Sequence, residues 1–236
     1  MATVTIDNPD TRLFVLRDDL LPGGTKSVVL PALLPRGVSE VVYASPVYGG
    51  FQIAIAEYCK AHGLKATIFS AKRAVMHANT KRAKAAGARI VQVPYGYLSN
   101  VEAKAAAYSE ASVGRFKIAF GGAMPEARMM LEARVRAVIK RLKARPDAIY
   151  CAVGSGTLVE AILAATDNCV VHGVVVGRDY ANPHPRLRLH QYPRPFDWEC
   201  KAGAPFPSMP NYDLKAWEVC IAERPRTGIT LFWNVL

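Results

Sequence analysis

The chain of 236 residues is 51% hydrophobic and 21% charged, with 17 Gly and 16 Pro, a composition that excludes the disordered and fibrous classes. Thirty Lys plus Arg against nineteen Asp plus Glu give a net charge of +11, which points to a polyanionic partner, an anionic substrate or a plain solubilising surface. The longest apolar runs fall far short of the ~20 residues of a membrane-spanning helix, so no span is expected.

In chain order, Arg12 to Arg17 (RLFVLR) reads as a short strand followed by a Pro-Gly-Gly turn at 22–24. A helix-like segment from Lys26 to Leu34 precedes a buried strand at Glu40 to Ser45. Gly49-Gly50 opens a helix running to Gly63, and Lys65 to Ser70 is the next strand. Asn79 to Ala86 is helical, Arg89 to Val93 a strand, and Glu102 to Ala111 an Ala-rich helix. Pro125 to Arg145 has the pattern of a long helix with Pro in its first turn. A strand at Asp147 to Val153, a helix at Thr157 to Ala165 and a strand at Val170 to Val176 follow. Arg178 to Asn211 is rich in Pro and irregular, the type of excursion that often covers an active site. Tyr212 to Glu223 returns to helical spacing, and Gly228 to Val235 is a final strand. Near-continuous apolar strands alternating with helices predict an α/β fold, a twisted parallel sheet with helices on both faces.

Three turns between these elements have the makings of sites. Gly154-Ser155-Gly156-Thr157 lies between a strand and a helix, where glycines admit a ligand to the backbone and exposed amides favour an anion such as phosphate. Close packing is the competing explanation. Lys26 follows a Gly-Gly turn at the head of a helical segment, where nearby backbone donors disfavour an ammonium and suit an amine that forms a Schiff base. It is otherwise an ordinary surface lysine. Ser45, Gly49, Gly50 and Gln52 stand at a strand end and helix start that could hold a carboxylate. The five His show no H-x-x-x-H and the five Cys no C-x-x-C, so no metal is expected. An odd number of cysteines, most inside apolar runs, and a polar N-terminal stretch are read as a reduced, cytoplasmic protein.

From Tyr58 to Asn100 the chain has no acidic residue, and Lys72, Arg73, Lys81, Arg82 and Lys84 fall inside this run. They are the candidate nucleic-acid contacts. A second basic cluster runs from Arg134 through Arg136, Lys140, Arg141 and Lys143 to Arg145.

Taken in order, LFVLRDDLLPGGTK, ASPVYGGFQIAIAEYCKAHGLKATIF, NTKRAKAAGARIVQVPYG and DAIYCAVGSGTLVEAI resemble the successive segments of the fold type II pyridoxal-phosphate enzymes. That family includes tryptophan synthase β, cysteine synthase and D-cysteine desulfhydrase. The resemblance runs from about Arg12 to Val176 and more weakly through the last strand. It implies pyridoxal 5'-phosphate as cofactor, Lys26 as the Schiff-base lysine and residues 154–157 as the phosphate cradle. It also implies Ser45, Gly49, Gly50 and Gln52 as the substrate-carboxylate side. The partner of the pyridine nitrogen is expected near the last strand, at Thr230 or Asn234. A larger cofactor domain (1–45 and 115–236), a smaller substrate-side domain (46–114) and a homodimer are further implications.

The function expected is a lyase reaction at the α-carbon of an amino acid. Because small members of this kind occur in phage DNA hypermodification, the basic run raises a sharper version, an amino acid tethered to modified thymine in DNA. A lyase or deaminase of a free amino acid, and a non-catalytic nucleic-acid-binding protein of the same fold, are the alternatives.

Overall fold

The computed structural model describes residues 2–94, 96–119, 125–142, 144–177 and 179–236. It forms two compact units, Met1–Thr25 with Arg128–Leu236, and Lys26–Ala127.

The first unit is built on a six-stranded sheet in the order β1-β2-β10-β7-β8-β9. Its strands are β1 (Ile6–Asp10), β2 (Leu13–Arg17), β7 (Ala148–Val153), β8 (Val170–Val175), β9 (Leu187–Gln191) and β10 (Thr230–Asn234). All neighbours run parallel except β1, which pairs antiparallel with β2. Strands β7 and β10 are buried along their whole length, as their unbroken apolar runs require of a sheet covered on both faces. One face packs on α5 (Pro125–Arg141) and α6 (Thr157–Ala165) through Val135, Val138, Val159 and Ile162. The other packs on α7 (Asp213–Glu223) through Ala216, Trp217 and Cys220, where Trp217 meets Phe206 and Phe232 edge-on.

A buried polar knot fixes the start of this unit. Asp18 is fully buried, pairs with Arg134 and accepts a hydrogen bond from Thr25 Oγ1 at 2.8 Å. Burial pushes its carboxyl up, against the pull of the Arg134 guanidinium. Arg134 also donates to the carbonyls of Ala2 and Thr3, so it is a buried clamp rather than part of a basic surface. Arg136 pairs with Glu132 one turn away, and Lys143 lies outside the described residues.

The second unit is a four-stranded parallel sheet, β5-β4-β3-β6, of β3 (Glu40–Ser45), β4 (Lys65–Ala71), β5 (Arg89–Val93) and β6 (Arg115–Ile118). Helices α1 (Leu30–Leu33), α2 (Phe51–Ala61), α3 (Ala78–Ala85) and α4 (Leu98–Glu110) complete it. At the N-terminal end of the sheet, Glu40 accepts from Thr67 and Tyr108 and pairs with Arg115, joining three strands to α4. Strands β3 and β6 pair within this sheet, so residues 26–45 and 115–127 belong here and not with the larger unit, where the sequence placed them.

Three short strands escape the sequence reading: β1, β6 and β9, the last inside the segment read as wholly irregular. Nor is 26–34 one helix. Thr25–Val28 is a 3-10 turn and α1 begins at Leu30, because Pro31 has no N–H and its ring would clash with the carbonyl four residues back. Lys26 therefore stands in a single short turn and not at the head of a longer helix.

Candidate functional site

Each unit carries one group of candidate residues. In the first, β7 ends at Val153 and α6 starts at Thr157, with the turn 154–157 between them. Gly156 caps α6 at φ +87°, a left-handed conformation that favours glycine, and a Cβ there would overlap the Tyr180 ring. At Gly154 a Cβ would stand 3.0 Å from the Tyr212 hydroxyl. Two tyrosines thus lie directly on the loop backbone. Ser155 and Thr157 join their hydroxyls at 3.0 Å at the head of α6, beside the first amides of that helix. Backbone donors, two hydroxyls and the positive end of a nine-residue helix suit a phosphate dianion, so the residues present fit the phosphate group of the cofactor the sequence implies.

The excursion supplies the loop's cover. Tyr180 donates to Glu160 of α6 at 3.2 Å and accepts from Asn182. Further along, Lys215 is fully buried and donates to the carbonyls of Pro195 and Phe196, with its ammonium over the Tyr192 ring. Burial lowers its pKa.

Asn234 is fully buried at the C-terminal end of β10, where its Oδ1 accepts from Ser208 and its Nδ2 donates to the Pro207 carbonyl. Thr230 stands in register with Ala148, at the other end of the strand from the loop, so it is no partner for a ligand held there. The sequence reading missed Tyr212 and Asp213. Asp213 is fully buried at the first position of α7, accepts from the Leu236 N–H at 3.2 Å, and helps burial push the Cys151 thiol up to about 12. Burial likewise raises the Tyr212 phenol. The acid at the head of this helix was the available signal.

In the second unit, Lys26 is half-buried and its Nζ lies 5.9 Å from the centre of the Phe51 ring, a cation–π distance. Phe51 is the first residue of α2, so the amine stands at the turn that holds Ser45, Gly49, Gly50 and Gln52. The structure brings these residues together. Ser45 Oγ donates to the Pro46 carbonyl at 2.9 Å, and Gln52 Nε2 donates to the Gly49 carbonyl at 2.8 Å. Both side chains shape the turn from within, while Gln52 Oε1 is a buried acceptor that no described residue satisfies. The preceding Pro22-Gly23-Gly24 turn belongs to the first unit. Gly24, at φ +70°, would overlap the Val235 carbonyl if it had a Cβ, and Thr25 N–H bonds that carbonyl at 2.9 Å.

Lys72, Arg73, Lys81, Arg82 and Lys84 are all exposed, and among the described residues none of them has an ion pair. No described helix is long and apolar enough to cross a membrane.

Residues 8–188 match the family described as "Pyridoxal-phosphate dependent enzyme". The curated proteins gave no match. Among solved structures, a homologue of ACC deaminase is 18% identical, with 94% of this chain and 83% of that one covered at a TM-score of 0.80. The O-acetylserine dependent cystathionine beta-synthase of Helicobacter pylori is 13% identical, covering 99% and 91% at 0.67. A hydrogen sulfide-producing enzyme of Fusobacterium nucleatum is also 13% identical, covering 99% and 92% at 0.67. At these identities the likeness is one of fold, and the fold is that of the type II enzymes.

Proposed function

The chain belongs to the pyridoxal-phosphate dependent enzymes, and on that premise we propose that it is a lyase acting at the α-carbon of an amino acid. The observation that carries the proposal is that the chain has both a lysine at a glycine turn and a glycine cradle at a helix head. When bound, the cofactor supplies an electron sink for the bond that breaks.

The chain's own residues do the rest. Lys26 would hold the cofactor through its amine and would move the proton at the substrate α-carbon. Gly154, Ser155, Gly156 and Thr157 would hold the phosphate through amides and hydroxyls. The turn at Ser45, Gly49, Gly50 and Gln52 orients the substrate carboxylate at the head of α2. Two buried polar groups of the first unit compete for the pyridine nitrogen. The Asn234 amide is engaged by Ser208 and Pro207 and Asp213 by the Leu236 N–H, but only a carboxylate at that place would favour a protonated ring nitrogen.

For the substrate class, the reading we favour is an amino acid tethered to a base of DNA. Its support is the row of exposed cations, without ion pairs among the described residues, on the unit that carries the carboxylate turn. A homodimer in the cytoplasm is part of the same proposal. Lys26→Ala should abolish turnover and the covalent label that borohydride leaves on the parent's Lys26 peptide. A label on another lysine overturns the assignment. Turnover of the amino acid on DNA should exceed turnover of the same amino acid in solution. Equal rates, unmoved by Lys81→Glu/Arg82→Glu, would leave a lyase or deaminase of free amino acids.

A further inference from the structure

We infer that the second unit holds a single-stranded, unstacked segment of nucleic acid, with Tyr97 as the platform for one base. This deepens the reading of a DNA-borne substrate and rests on it for the nature of the polymer.

The inference begins from what lies at the C-terminal end of the four-stranded sheet. Strand β4 ends at Ala71, and the Lys72 N–H bonds the Val93 carbonyl at the end of β5. Gly96 lies so close to Ala71 that a Cβ on the glycine would overlap it, which sets Tyr97 beside the start of the 72–77 loop. Tyr97 is 80% exposed and Val75 74%, two of the most exposed large apolar groups in the chain. Lys72 and Arg73 open the same loop and are exposed.

The same loop reaches the substrate turn. His77 ends it, caps α3 by accepting from the Asn79 N–H at 3.2 Å, and meets the Tyr48 ring edge-on at 4.8 Å. Asn79 Nδ2 donates to the Tyr48 carbonyl at 2.9 Å. The rim therefore runs without a break from the carboxylate turn, through Tyr48 and His77, to the cations and to Tyr97. All of it lies within one unit.

Cations alone read only phosphates, and they hold duplex and single strand alike. An exposed phenol ring adds something a duplex cannot use, because its base faces are covered by their neighbours. A base that has left the stack presents a free π-face, and stacking such a base on an aromatic side chain is the common device of single-strand binding. An amino acid tethered to thymine projects into the major groove, and unstacking its base lengthens its reach toward the carboxylate turn. Tyr97 would then receive a neighbouring base, Lys72 and Arg73 the phosphates between, and the carboxylate turn the amino acid itself.

Fluorescence anisotropy tests this with three probes: a labelled short oligothymidylate, a labelled hairpin duplex of the same length, and heparin as competitor. The parent should bind the single strand more tightly than the duplex. Tyr97→Ala should weaken the single strand about tenfold or more and leave the duplex unchanged, with Tyr97→Phe restoring the parent value. Lys72→Glu/Arg73→Glu should weaken both. If Tyr97→Ala leaves single-strand affinity unchanged while the charge reversal still weakens it, the platform is overturned and the DNA reading stands. If the charge reversal changes nothing, or if only heparin binds, both fall. Tyr97 is exposed, so its variants should melt with the parent, and a melting curve confirms that each is folded.

Discussion

The Trp233 indole N–H donates to Thr25 Oγ1 at 3.0 Å, and Thr25 in turn donates to Asp18. Two buried groups, from β10 and from the residue just after β2, thus meet on Thr25, the residue next to Lys26. Thr25→Val keeps the shape but removes the hydroxyl, leaving the indole and the Asp18 carboxylate each short of a partner. It should cost about 1–3 kcal/mol of stability, read as a lower urea midpoint at unchanged slope. Thr25→Ser should recover most of it.

Gly156→Ala should fail for two reasons that can be separated. The left-handed backbone strains any Cβ, and the Tyr180 ring occupies the space it needs. The substitution should lower both the melting temperature and the affinity for pyridoxal phosphate. Adding Tyr180→Ala should return part of the lost stability, because only the steric share of the cost is relieved. No recovery at all would place the whole cost in the backbone.

Asp213→Asn keeps the hydrogen-bonding shape and deletes the charge. If the carboxylate holds the ring nitrogen protonated, turnover should drop by a factor of about ten or more while the cofactor stays bound. Asn234→Ala should instead loosen the Ser208 and Pro207 contacts and act mainly on stability. Equal effects on turnover would remove the distinction drawn between the two.

His172 provides the pH test. Burial, then the neighbouring His190 and Arg188, lowers its pKa from 6.5 to about 4. Its Nδ1 meets His190 Nε2 at 2.9 Å, its ring stacks on Tyr150, and Glu223 pairs with the far side of His190. Folded His172 resists a proton that the unfolded chain accepts, so stability is full above pH 6.5 and declines as pH falls toward 4. His172→Phe keeps the stack and lacks the titration. Its unfolding free energy should be lower at neutral pH and flatter across that window, as urea titrations between those two pH values would show.

What the sequence could reveal follows from how local each signal is. Glu40–Ser45, Arg89–Val93 and Thr157–Ala165 match their expected bounds because apolar runs and helical spacing are written within the segments themselves. Strands β1, β6 and β9 lie at sheet edges, half exposed, with sequences such as IDNPD and LRLHQ that have no apolar run to read. Lys26 and the turn at 45–52 were visible as glycine turns, and their approach through Phe51 was not. The roles of Tyr180, Tyr212 and Asp213 depend on contacts with residues far away in the chain. No local pattern encodes such contacts. Arg134 misled for the same reason: a basic residue on a basic helix looks exposed until its buried acid, 116 positions earlier, is known.

The order β1-β2-β10-β7-β8-β9 has a consequence for how the protein is made. Strand β10 lies between β2 and β7, yet it follows the other five strands of its sheet in the chain. A ribosome releasing the chain from its N-terminal side delivers every strand of the four-stranded sheet, within residues 26–118, before β7, β8, β9 and β10. The six-stranded sheet has to wait. Until Thr230–Asn234 emerge, β2 and β7 have open edges facing a gap, each a template for pairing with another chain. A nascent chain stalled before β10 should therefore show one folded unit and one sticky, half-built sheet, and holdase chaperones should engage the second.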